Sequence, residues 1–268
     1  MIRMIPAFLA RDLHTELSYR SASLLSLGSI FFNVLIFYFL AVFVGDSVDP
    51  LLQRYDGDYF AFILIGVAFS GYFNVGLSGF AQALRQAQIT GTLEAMLMTP
   101  ASLPTVVVGS AAWSYVFTTL RVLVYLLLGT LLLGVSLGGA NYAAALVGLI
   151  LSIIAFGSIG IIAASVIMVT KRGEVVTTLT ASVANLVGGI FYPIEILPEW
   201  LQVFSRLIPL TYALRVMRDA LLANADWQQL APDLLALTAF CVVLFPLSLG
   251  AFRFAVEQAR REGTLAHY

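Results

Sequence analysis

Long apolar runs follow one another along this chain, and charge and proline collect in the short stretches between them. A helix that crosses a bilayer takes ~20 mostly apolar residues. Six stretches come close to that length: 23–44, 59–83, 105–133, 142–169, 175–192 and 234–254. None alternates with a period of two, so a membrane barrel is disfavoured. Backbone groups in lipid have no water to bond, and each run therefore reads as a helix. The pattern predicts an all-α membrane protein with six transmembrane helices, its spanning domain covering 23–256.

Three segments do not fit the spanning pattern. In 1–22, Ile2, Ile5, Leu9, Leu13 and Leu17 recur at spacings of three and four, with Phe8 beside them. Arg3, Arg11, Asp12, Thr15, Glu16 and Ser18 mostly take other faces, which predicts an amphipathic helix lying in the interface as an anchor or as a hold for a partner. The second segment, about 90–100, reads "TGTLEAMLMTP". Thr90 or Thr92 can cap a short helix, Glu94 sits in its first turn and Pro100 ends it. The third, about 193–222, cannot be one helix, because Pro193 and Pro198 each remove a backbone donor. Trp200, Leu201, Phe204, Leu207 and Ile208 form an apolar stripe ahead of Pro209, as expected of a segment that dips into one leaflet and returns. Glu195 then lands near the interface, where it can cap a helix N-terminus or meet its twin across a dimer.

Composition agrees with a bilayer as the surrounding medium. Of 268 residues, 60% are hydrophobic and 11% charged, too few charges for the surface of a soluble domain. A net charge of −1 gives no basic face for nucleic acid. No cleavable signal peptide is expected, since "MIPAFLA" is short and runs into Arg11 and Asp12. Cys241 is the single cysteine and reads as a small core residue. His14 and His267 are the only histidines and lie near the ends, so a metal site or a catalytic triad is not expected. Paired acids at membrane depth are missing too, which argues against proton coupling.

The basic residues orient the bundle. Arg3, Arg11, Arg20, Arg85, Lys171, Arg172, Arg253, Arg260 and Arg261 fall on one side, and Arg54, Arg206, Arg215 and Arg218 on the other. The richer side is the cytoplasmic one. Both termini, the tail 257–268 and the segment 90–100 are thus expected inside. The loop 45–58, with Asp46, Asp49, Asp56 and Asp58 against Arg54, is expected outside.

Arg121 falls inside the third run, where a charge costs ~2.5–3.5 kcal/mol on insertion scales. It reads either as a path or gate residue, or as a snorkelled or structurally paired arginine. Asn33, Asn74 and Asn185 lie at similar depth, where hydrogen bonding between helices is the ordinary role. Phe31, Phe32, Phe69, Tyr72 and Phe73 are dense aromatics that face lipid or wall a translocation path. "LSGFAQ", residues 77–82, has the look of a nucleotide-cassette signature loop, but Phe80 stands where that motif has glycine, and the stretch lies in a span. Lys171 is the only lysine and Arg172 follows it, so the chain has no phosphate-binding loop.

"GTLEAMLMTPASLP" together with "FYPIEILPEWLQVFSRLIPLTYALRVMRDALL" resembles the ABC-2 type transporter permeases, the membrane subunits of polysaccharide, nodulation-factor and daunorubicin-type exporters. The likeness of layout covers essentially the whole chain. It implies a cytoplasmic coupling helix whose contact residues are Gly91, Thr92, Leu93, Glu94, Met96, Leu97 and Met98. It implies outer re-entrant helices, with Tyr192, Pro193, Glu195, Pro198 and Trp200 at the outer gate. It also implies a homodimer joined to two copies of a separate ATPase. ATP and Mg would belong to that partner, and this chain would hold no cofactor of its own. The expected place is the plasma membrane, the inner membrane of a bacterium. The function expected is the permease subunit of an ATP-driven exporter of an amphipathic or lipid-linked substrate, a polysaccharide or glycolipid, a drug or a natural product. The alternatives are an ATP-independent channel or secondary transporter, and a membrane-embedded enzyme.

Overall fold

A computed structural model describes residues 20–44, 52–55, 58–89, 103–170 and 173–261. Every regular element among them is helical: α1 (Arg20–Val44), a 3₁₀ turn (Gln53–Tyr55), α2 (Tyr59–Ile89), α3 (Leu103–Leu133), α4 (Tyr142–Thr170), α5 (Gly173–Val187), a second 3₁₀ turn (Ile194–Ile196), α6 (Glu199–Arg206), α7 (Pro209–Leu221) and α8 (Trp227–Arg261). The interfacial helix expected over 1–22, apart from the residues that open α1, lies outside the described residues. So do the expected coupling helix and residues 262–268.

Among the described residues four helices are long and apolar enough to cross a membrane: Tyr59–Phe80, Ala112–Leu133, Tyr142–Met168 and Trp227–Gln258. The first and fifth expected spans appear as the shorter apolar stretches Gly28–Val44 and Thr177–Val187. α5 ends five residues before the expected 192. Gly188 N–H still donates to the Ala184 carbonyl at 2.7 Å. Gly189 then takes φ +80°, a left-handed turn that stops the helix. Ile190, Phe191 and Tyr192 are as apolar as the helix before them, so hydropathy alone ran past the break. α8 errs the other way. It starts at Trp227 and holds both Pro232 and Pro246, and it runs on to Arg261, past the boundary expected at 256.

α4 is the hub. α2 and α8 lie along it, and α7 and α5 pack on it too, while α3 sits on α2. The α2–α4 crossing is made close by glycine. A Cβ on Gly76 would come 2.6 Å from Phe156 Cβ, and one on Gly160 would run into the Gly76 carbonyl oxygen. Small residues at a crossing let backbones approach, which is how helices associate in lipid. Tyr72, Phe73 and Phe156 fill the adjoining core. Phe39 and Phe43 of α1, Leu127 and Leu131 of α3, and Leu235 and Val242 of α8 point outward. Such continuous apolar surface suits a bilayer, not water.

Candidate functional site

The described connecting segments with tertiary polar contacts meet at one end of the bundle. They are 52–55 and 58 before α2, 134–141 between α3 and α4, and 188–226 between α5 and α8. α7 lies at their centre. Its first turn opens with Pro209 at a position where a helix needs no donor. Its residues are then buried nearly all round, Arg218 and Asp219 included.

Arg218 is 4% exposed. Its Nε donates to the Phe62 carbonyl at 3.1 Å, Nη1 to that of Gly189 at 2.7 Å and Nη2 to that of Ile190 at 2.8 Å. The guanidinium carbon stands 3.4 Å from the centroid of the Phe62 ring. The planar fork thus ties α7 to α2 and to the turn that ends α5, and carbonyl dipoles meet its charge. Gly66 makes room: a Cβ there would collide with the Ile190 carbonyl oxygen and with Arg218 Nη2.

Asp219 faces the first connecting segment. Tyr55 Oη donates to Oδ1 at 2.9 Å, and Arg54 Nη2 lies 2.7 Å from Oδ2, an ion pair with no N–H aimed along that oxygen. Burial pushes the Asp219 carboxyl above its usual range, and Arg54 and the Tyr55 hydrogen bond oppose the shift. Burial, and next the Asp219 charge, push the Tyr55 phenol up. Asn141 binds the same C-terminal end of α7: its N–H donates to Ala220 O at 2.7 Å and its Nδ2 to Ala225 O, just beyond the helix, at 3.2 Å. Its Oδ1 caps α4 by accepting from Ala144 N–H at 3.1 Å. Arg215 pairs with Asp233 of α8 at 3.2 Å.

The five residues expected at the outer gate lie together beside this cluster. Tyr192 Oη donates to the Leu186 carbonyl, and Tyr59 Oη to that of Phe191 at 3.1 Å. Pro193 precedes the second 3₁₀ turn and Pro198 precedes α6. Glu195 is exposed in the second 3₁₀ turn, and neither N-cap position, Pro193 or Pro198, carries a side-chain cap bond. Trp200 is 64% exposed, and Val203, Phe204 and Leu207 are exposed with it, leaving the apolar side of α6 uncovered.

The residues expected along a path are not gathered in one place. Tyr72 is buried and donates to Thr119 Oγ1 at 2.8 Å, Phe69 stacks on it, and Phe73 meets Phe156 edge-on at 5.2 Å. Phe31, Phe32 and Asn33 are exposed on α1, and Asn33 Nδ2 bonds back to Ser29 O of its own helix at 2.8 Å. Asn74 is half-buried. Asn185 Oδ1 is buried with no hydrogen-bond partner among the described residues. Arg121 is half-buried, its guanidinium 5.9 Å from the Phe117 ring, and it pairs with no carboxylate among the described residues. Leu77 and Phe80 of the false signature are packed inside the bundle. An apolar groove of about 340 Å³ opens between Phe73, Ile159, Val183 and the Leu207–Pro209 break. Gly91, Thr92, Leu93, Glu94, Met96, Leu97 and Met98 lie outside the described residues.

Arg54, Tyr55, Asn141, Arg218 and Asp219 were not among the expected site residues. The quoted string "RVMRDALL" did hold a signal, two arginines and an acid within a helical turn of an otherwise apolar stretch.

Long apolar helices that pack through glycine and turn apolar side chains outward define a helical integral membrane protein. Residues 7–222 match the family described as ABC-2 type transporter, and the chain belongs to that family. It is also similar to Nodulation protein J of Sinorhizobium fredii (strain NBRC 101917 / NGR234), with 27% identity over 214 residues, which cover 77% of this chain and 79% of that one. ABC-2 membrane domains are transport subunits, not enzymes in themselves.

Proposed function

We propose that this chain is the permease subunit of an ATP-driven exporter, a six-span homodimer in the plasma membrane with both termini in the cytoplasm. Residues 90–100 dock a separate ATPase, present in two copies and carrying the ATP and Mg. Closure of the two ATPase subunits would shift the docked helices as rigid bodies and open a path at the dimer interface, lined by the first, second and fifth spans. The cargo is amphipathic or lipid-linked. The likeness to Nodulation protein J supports placing the chain with the nodulation-factor group of such exporters.

The observation that supports this reading is the proline-broken pair of short helices between α5 and α8, which a simple connector has no need of. Glu94→Arg tests the coupling. A reversed charge at a contact costs partner specificity. The variant should express and assemble as wild type while the stimulated ATP hydrolysis of the reconstituted complex falls at least tenfold. Unchanged hydrolysis would sink the docking assignment. A chain that purifies with no ATPase, yet passes solute, would favour a channel.

A further inference from the structure

We infer that Arg218 is a positioning residue that makes α7 a static strut, so that opening of this end of the bundle is carried by residues 191–207 alone. The terms outer and opening rest on the exporter reading; the strut itself does not.

α7 is tethered in several directions at once. Arg218 binds α2 through Phe62 and the α5 turn through Gly189 and Ile190. Asp219 binds the segment before α2 through Arg54 and Tyr55, Asn141 binds Ala220 from the segment before α4, and Arg215 binds α8. These bonds are 2.7–3.2 Å long and reach five different parts of the chain. A shift of α7 by ~2 Å would break them together and leave buried carbonyls without donors, the costliest way to lose a hydrogen bond.

The neighbouring segment is held differently. Most of its bonds are internal or go to the end of α5: Gln202 Nε2 to Leu197 O at 2.9 Å, Ser205 Oγ to Val187 O at 2.6 Å and Tyr192 Oη to Leu186 O; α7 reaches it at the second break, where Tyr212 Oη donates to Arg206 O at 3.0 Å. Tyr59 to Phe191 is its link to α2. Its apolar side is uncovered at Trp200, Val203, Phe204 and Leu207. A break marks each end, at Gly188–Gly189 and at Leu207–Ile208 before Pro209. Hinges are a few such residues at element ends. Arg218 grips the carbonyls of Gly189 and Ile190, and so holds the fixed side of the first hinge.

Two measurements decide the matter. The first uses the permease alone in lipid nanodiscs, with hydrogen exchange as the readout. Amides of 213–221 should exchange on the order of 100-fold more slowly than those of 200–206. Arg218→Gln should shrink that ratio at least tenfold, and Arg218→Lys should do so by less. Equal protection of the two helices in the native chain, or an unchanged ratio in Arg218→Gln, overturns the strut. The second measurement leaves Arg218 in place. A Cβ at 139 would lie 3.6 Å from the Asn224 Cβ, within the range of a disulfide. Gly139→Cys with Asn224→Cys, on a Cys241→Ser background, therefore staples the end of α7 to the α3–α4 connection. The staple should form equally in nucleotide-free and vanadate-trapped complex and leave ATP turnover within about twofold. A staple that forms in one state only, or turnover lost on oxidation and restored by reductant, overturns the proposal. Failure of the exporter reading looks different: no ATPase accompanies the permease, while α7 still outlasts α6 in exchange.

Discussion

Replacing Arg218 by methionine keeps much of the side chain's length and removes all of its donors. Three carbonyl oxygens lose a partner. Phe62 sits within α2 and its oxygen also belongs to the helix ladder, so its loss is small. Gly189 and Ile190 are buried, lie outside any helix, and are left without that donor. An orphaned buried carbonyl costs ~1–3 kcal/mol. The attraction between the guanidinium and the Phe62 ring, ~2 kcal/mol when dry, is also lost. Methionine avoids the cost of burying a charge, several kcal/mol, which offsets the ring term and part of the rest. Asp219 keeps Arg54 and Tyr55, so the substitution strands no carboxylate. The net expectation is a loss of about 2–4 kcal/mol. For a chain of this size each kcal/mol moves a thermal midpoint by ~2–4 °C, so the midpoint should fall by roughly 4–16 °C. The assay is heating in detergent followed by size-exclusion chromatography of the surviving monodisperse protein. Arg218→Lys keeps the charge without the planar fork and should fall between the two. An Arg218→Met midpoint within about 2 °C of wild type would refute the view that the fork holds this end together.

Gly160→Val drives a branched side chain into the Gly76 carbonyl and should block the α2–α4 crossing. Overpacking costs ~1–3 kcal/mol, and loss of monodisperse protein on chromatography is the check, with Gly250→Val, where a Cβ meets nothing within 4 Å, as the tolerant control. Cysteines placed at Asp49 and Asp226 should react with an impermeant maleimide in sealed cells, and cysteines at Glu94 and Glu262 should not; labelling at 94 would reverse the orientation. Pro193→Ala together with Pro198→Ala should leave assembly intact and abolish transport, and normal transport would reduce 191–207 to a plain connector.

The long helices were legible because a bilayer selects for length and apolarity, and both are properties of a sequence window. α3 and α4 fall within two residues of their expected limits at each end. The end of α5 was harder. Its stop is a backbone conformation at Gly189, embedded in residues that continue the apolar run. The break at Leu207–Ile208 was readable from Pro209, which can start a helix but not continue one. The stapled end was not readable. Arg215 and Arg218 were counted as loop charges because nothing local tells a solvated arginine from one whose donors reach a carbonyl 156 residues away. Tyr72 and Phe73 share their composition with path-lining aromatics, and only the glycine-tight approach of α4 makes them core.

The seating of α7 also bears on how the protein is made. Phe62, Gly189 and Ile190, and likewise Arg54, Tyr55 and Asn141, all precede Arg218 in the chain. A ribosome delivers them first. The receptor for α7 is therefore synthesised before its occupant, and the arginine that leaves the translocation machinery meets carbonyl acceptors already in existence. α8 comes later in the chain, and through Asp233 it reaches Arg215 after the receptor and α7 have been made.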